Sequence, residues 1–185
     1  RKSSIVLGLD ISSTTVKLLE LSYSGDRYCV ESYCVAPLPQ DAVAEKGVYD
    51  VAGVSHAIRT VVEQSRTKVK NAAVAVAGSS VITKLIDMPE GLSEDDMEMQ
   101  LTLEADQYIP YPLEEVSIDF EIQGPSSERD NQVEVLLAAC RRETIESRVE
   151  AIEGADLIPK IVDVEAYAME RAFSVLLGQL DLDEG

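Results

Sequence analysis

The chain has 185 residues, 45% of them apolar, which is enough for a packed core in one or two domains and too many for a disordered polymer. Its 34 acidic against 16 basic residues give a net charge of -18, a surface that repels phosphate backbones and anionic lipid and makes nucleic acid a poor partner. No apolar run approaches the ~20 residues needed to cross a bilayer, and the basic Arg1-Lys2 pair leads into an alternating strand. Neither a transmembrane helix nor a signal peptide is read, so a cytoplasmic protein without direct membrane insertion is expected.

In chain order, Ile5, Val6, Leu7 and Leu9 read as a buried strand, and Val16, Leu18, Leu19 and Leu21 restart an apolar run after a short polar turn. The two strands are expected to form a hairpin. Asp10 ends the first, and Ser12, Ser13, Thr14 and Thr15 make the turn. Small residues there let backbone N–H groups and hydroxyls approach anionic oxygens, Lys17 adds a positive charge, and Asp10 can hold Mg2+ through water. The same residues also suit an ordinary serine-rich hairpin turn, because Ser and Asp favour turns for local hydrogen-bonding reasons.

Tyr28 to Val35 reads as a third strand, ending before Pro37-Leu38-Pro39. From Val51 to about Lys68, Val54, Ala57, Ile58, Val61 and Val62 recur at helical spacing, and Asn71 to Gly78 reads as a buried strand. A second module is then expected: a strand from Val81 to Met88, a helix from Ser93 to Tyr108, and strands from Glu115 to Gln123 and Gln132 to Cys140. Ser93-Glu94-Asp95-Asp96 suits a capping box with acids in the first turn, and Met97, Leu101, Ala105 and Tyr108 form the expected buried stripe. Pro110 and Pro112 stop that helix. A helix from about Glu143 to Glu153, using Ile145, Val149 and Ile152, a strand from Leu157 to Val162 and a last helix from about Val164 complete the chain.

Cys29 and Cys34, five apart in one strand, are expected on opposite faces, and with Cys140 they read as small buried hydrophobes in the absence of any CxxC pattern. The single histidine, His56, cannot build a histidine-based metal site and reads as solvated or at the core edge.

The segment from Gly8 to Leu21 resembles the first phosphate loop of the actin-like ATPase superfamily, and its DISST and VKLLEL pieces resemble the PilM family of type IV pilus assembly proteins, relatives of the cell-division protein FtsA. Four further stretches fit that family in order: Ala72 to Gly78, Glu104 to Glu115 (EADQYIPYPLEE), Val135 to Arg141, and Val162 to Phe173. The resemblance implies an α/β fold, with an actin-like, ribonuclease-H-like subdomain 1A over residues 1–78 and 134–185 and an inserted subdomain 1C over residues 79–133. It also implies ATP and Mg2+ as cofactors, with Asp10, Ser12, Ser13, Thr14, Thr15 and Lys17 toward the phosphates and Asp10 toward Mg2+. Asp163 and Glu165 are expected near the metal or the attacking water; a helix cap by Asp163, with Glu165 favouring the dipole, is the alternative.

The family's implied role is a scaffold that takes the N-terminal cytoplasmic tail of the inner-membrane protein PilN in a groove between the two subdomains and so sits at the inner membrane with other pilus assembly proteins. Ala105, Tyr108, Ile109, Pro110 and Tyr111, with the strand from Val81 to Met88, are the expected groove wall. No second phosphate loop precedes Leu182-Asp183-Glu184-Gly185 and the chain begins without Met, so an N-terminal half of a longer protein, not hydrolytic by itself, is expected. An FtsA-like filament-forming ATPase, or a small phosphotransferase using Asp10 and Glu165, is the alternative. An apolar stripe of Val164, Ala168, Ala172, Val175 and Leu176 on the last helix suits homo-oligomer formation.

Overall fold

The computed structural model describes residues 5–44 and 47–179; the Arg1-Lys2 pair and the Leu182 to Gly185 end discussed above lie outside them. The chain divides into two compact units, residues 1–78 with 144–185, and residues 79–143.

The first unit is built on a five-stranded sheet with three segments from the start of the chain: β1 (Leu7–Ile11), β2 (Thr15–Ser24) and β3 (Arg27–Pro37). They pair as an antiparallel meander, with Ile11 opposite Val16 across the Ser12 to Thr15 turn. Two-residue strands β4 (Val43–Ala44) and β5 (Gly47–Val48), too short to show in any periodicity, form a small ladder of their own. Helix α1 (Val51–Ser65) starts where the Asp50 carboxylate accepts the Gly53 N–H at 2.9 Å and stops at Arg66, which takes a left-handed conformation with φ of 55°. Strand β6 (Asn71–Val76) then lies parallel to β1.

The second unit is a three-stranded antiparallel sheet covered by one helix. Its elements are β7 (Val81–Pro89), α2 (Glu94–Ala105), β8 (Val116–Pro125) and β9 (Gln132–Arg141), with β9 between the other two. Because β9 is the central strand of this sheet, the compact unit runs to Glu143 and does not stop at residue 133. Ser93 caps α2, accepting the Asp96 N–H and donating to the Asp96 carboxylate at 2.6 Å, with Glu94, Asp95 and Asp96 in the first turn. Met97, Leu101 and Ala105 are its buried residues and pack on Met88, Val135 and Leu137. The helix ends at Ala105, and Tyr108 is 40% exposed, so it is not a fourth core residue.

The chain returns to the first unit through α3 (Arg142–Glu153), β10 (Ile158–Val164) and α4 (Glu165–Gln179). The five-stranded order is β10-β6-β1-β2-β3, with β10, β6 and β1 mutually parallel. Leu7, Leu9, Val16, Leu18, Val74 and Leu157 share one core with Val54, Ile58 and Val61 of α1 and Ala151 and Ile152 of α3. The buried stripe of α3 is Thr144, Arg148, Ala151 and Ile152, leaving Ile145 and Val149 half-buried. Arg148 is carried into this buried position by donating to the Thr144 carbonyl one turn earlier at 3.1 Å.

A bulge in the β2–β3 ladder corrects the cysteine reading. The register shifts between Glu20 and Leu21, so Cys34 stands opposite Leu18 while Cys29 stands opposite Ser22. Leu18 and Ser22 are an even number of residues apart, which puts both cysteines on the same face despite their odd spacing. Cys29 is exposed, Cys34 half-buried and only Cys140 buried, and none of the three is joined in a disulfide among the described residues. His56 is exposed on α1.

Candidate functional site

Alternation along the strands determines what the second face of the five-stranded sheet presents. Leu9 pairs with Val74 and Val74 with Val162, three residues that face the core. One step further on, Asp10, Ala75 and Asp163 therefore stand level with one another and point the other way. The two carboxylates are separated by two strand spacings, about 10 Å between backbones, with a small alanine between them. They lie near the carboxyl ends of parallel strands, the edge at which open α/β sheets bind ligands. Ala73 and Ala75 leave little side-chain bulk on β6 along this face.

Each carboxylate has a basic partner from the same unit. Asp10 receives a hydrogen bond from the Lys17 ammonium at 2.5 Å, because β1 and β2 pair these two positions directly. That bond and the Asp10 charge raise the Lys17 pKa above its usual lysine value. The pair is 40% and 51% exposed, so it holds geometry and charge and adds little to stability. Asp163 accepts from Arg171 of α4 and from the Val164 N–H at 2.8 Å. Its contacts are thus a cation and its neighbour's amide; it belongs to β10 and does not cap α4, which begins at Glu165.

The Ser12 to Thr15 turn is closed by its own polar atoms. The Ser12 N–H and hydroxyl both donate to the Thr15 carbonyl at 3.0 Å, and the Thr15 N–H donates to the Ser12 hydroxyl at 3.3 Å. The Leu38 N–H donates to the Thr14 carbonyl at 2.8 Å, which fastens the turn to the end of β3. Ser13 and Thr14 remain exposed at the tip. The local-turn and anion-binding readings are thus compatible: Ser12 and Thr15 shape a loop whose tip stays free.

The expected groove wall divides. Ala105 and Ile109 are 0% and 5% exposed, members of the second unit's core, and present no surface to a peptide. Pro110, Tyr108 and Tyr111 are exposed. Lys84 of β7 sits over the Tyr108 ring at 5.3 Å, and Arg141 of β9 over the Tyr111 ring at 5.4 Å, so two cations hold this loop against the sheet. Lys84 lies in the strand from Val81 to Met88, and Arg141 and Arg171 lie in stretches that carry the family resemblance, but the sequence reading gave none of the three a partner. Their partners are brought to them by strand pairing and by a strand-to-helix turn, which local spacing does not reveal.

Residues 8–184 match the family described as type IV pilus assembly protein PilM. The chain belongs to that family. A solved chain of the PilM–PilN type IV pilus biogenesis complex is 30% identical and superposes with a TM-score of 0.83, over 97% of this chain and 52% of that one. The cytoplasmic domain of EpsL, an inner-membrane component of the type II secretion system of Vibrio cholerae, is 13% identical with a TM-score of 0.54, over 86% of this chain and 57% of that one. The chain thus spans about half the length of these solved relatives and shares their mixed α/β fold. Among the described residues no helix is long and apolar enough to cross a membrane.

Proposed function

We propose that this chain is part of a type IV pilus assembly scaffold that binds the N-terminal cytoplasmic tail of PilN and supplies one side of a nucleotide-phosphate site. The observation that carries the reading is the similarity to a solved PilM–PilN complex chain over 97% of this one. The net charge of -18 complements a tail that is basic beside the membrane. Tyr108, Pro110 and Tyr111 are the exposed residues assigned to tail contact, with Ala105 and Ile109 supporting them from the core. Association with the inner membrane then runs through PilN and the other pilus assembly proteins.

The donor set of the first unit suits Mg-ATP. The exposed tip at Ser13 and Thr14, with Ser12 and Thr15 behind it, would hold phosphate oxygens, Lys17 would add positive charge, and Asp10 would hold Mg2+ through water. Asp163 and Glu165 stand at the neighbouring strand-to-helix corner. When bound, Mg2+ neutralises phosphate charge. The ion pairs of Asp10 with Lys17 and Asp163 with Arg171 keep the carboxylates oriented. We assign no hydrolysis to this chain alone.

A second reading, self-association, is favoured by α4, which has no buried residue and exposes Met169, Phe173 and Leu176 at 67%, 61% and 51%. Sedimentation with Mg-ATP separates the two. A sedimentation coefficient independent of concentration removes the polymer. Calorimetric titration with a synthetic PilN N-terminal peptide tests the first reading. Saturable one-to-one binding supports it, and no heat with or without Mg-ATP overturns it.

A further inference from the structure

The second unit carries an uncovered strand edge beside an acidic groove. Among the described residues β8 pairs with β9 alone, so its other side is an open row of backbone groups. Along that edge lies a depression of about 150 Å³, lined by Glu94, Glu98, Leu101 and Thr102 of α2 and by Ile118, Asp119 and Phe120 of β8. Ile118 and Phe120 are only partly covered by the unit's core. The volume is below the 300 Å³ at which small-molecule pockets begin, and suits one or two apolar side chains.

The groove's chemistry selects its occupant. Glu94, Glu98 and Asp119 bring three carboxylates to it, and none of its lining residues is basic. The Asp119 carboxylate accepts the Phe120 N–H at 2.9 Å, so an acid of β8 itself occupies one of that strand's amides. A second copy of this chain is a poor occupant, because β8 carries Asp119 and Glu121 and like charges would meet across the new pair.

We propose that β8 takes an extended segment of a partner protein as an added antiparallel or parallel strand, one whose apolar residues alternate with lysine or arginine. Its apolar side chains lie on the α2 side over Ile118, Phe120 and Leu101, and its basic side chains lie on the opposite face beside Asp119, while Glu94 and Glu98 add to the negative field along the groove. The period of two along a strand makes both demands compatible in one short segment. The site lies wholly within residues 94–120 and does not depend on the pilus reading.

The test is amide NMR on the full chain, titrated with a short peptide alternating valine and lysine, and in parallel with its valine–glutamate counterpart. The expected result is a saturable shift confined to α2 and β8 for the basic peptide and none for the acidic one. Glu98→Lys combined with Asp119→Lys is expected to weaken binding about tenfold or more and to flatten its salt dependence. Thr102→Trp, which fills the depression without changing charge, is expected to weaken it as well; each variant is checked for a wild-type amide spectrum away from the groove. Shifts on the β7 edge, shifts scattered over the acidic surface, equal binding of the acidic peptide, or a charge-reversed variant that binds like wild type each overturn the proposal. Shifts that grow with protein concentration in the absence of peptide, marking a second copy on this edge, overturn it too.

Discussion

On one face of the five-stranded sheet, Leu7, Leu9, Val16, Leu18 and Val74 are buried against α1 and α3. On the other face, at alternate positions of the same strands, stand Asp10, Lys17, Tyr33, Ala75 and Asp163. The first set repeats one demand, apolar volume, while the second contains one ion pair, a carboxylate paired with Arg171 of α4, an exposed tyrosine and an alanine that leaves room. A single residue step separates what makes the fold from what carries the chemistry. The comparison teaches that the two can be altered almost independently, provided a substitution respects the alternation.

The largest effect is expected on the packed face. Ile58 is fully buried between sheet and helix, and Ile58→Ala is predicted to cost about 2–5 kcal/mol in denaturant unfolding. A smaller loss would mean that α1 is loosely packed and that the contrast between the faces is overstated. Next comes Gly154, where an added Cβ would meet the Ser55 hydroxyl at 2.5 Å and the Glu150 carbonyl at 3.2 Å. Ser55 is itself held by donating to the Ala151 carbonyl at 2.9 Å, so Gly154→Ala is predicted to cost about 1–3 kcal/mol. Restoration of stability by Ser55→Ala in the same chain would locate the strain at that crossing.

On the second face the sign of the comparison reverses. Asp10→Ala is predicted to leave the melting temperature at the wild-type value and to weaken Mg-ATP binding. A clear drop in melting temperature would make the Asp10–Lys17 pair structural. The smallest effect is electrostatic. Lys17, raised by Asp10, is expected to titrate by NMR above an ordinary lysine and to return to the ordinary range in Asp10→Asn. Because the folded value is the raised one, its contribution to stability is fully present below about pH 10.4, the ordinary lysine pKa. It is lost as pH rises through the folded value. An unchanged Lys17 titration in the variant would contradict the pairing.

How much of this was legible follows from which signals are local. The Leu7/Leu9 and Val16/Leu18 alternation, the Val54-Ile58-Val61 stripe and the Ser93 cap are written within a few residues of one another, and the elements formed there. The cysteine faces were misread because a bulge adds one residue and inverts parity, and nothing in Arg27 to Pro37 announces it. Tyr108 read as core on helical spacing, yet α2 ends three residues before it and the ring stands under Lys84. Asp163 read as a site residue or a helix cap; it lies in a strand, oriented by Arg171, a cation eight residues away that only the β10-to-α4 turn brings near. Asp10 was named from its turn and Asp163, together with Glu165, from the family resemblance; that Asp10 and Asp163 share a face and a level comes from the parallel register of β1, β6 and β10.

The most direct test of the contrast between the faces is amide NMR of the chain with Mg-ATP and a trace of paramagnetic Mn2+. Selective broadening at Asp10 to Thr15 and at Asp163 to Glu165, with α1 and α3 untouched, is the predicted result. Broadening spread evenly over the acidic surface, centred on α1 and α3, or absent would contradict it.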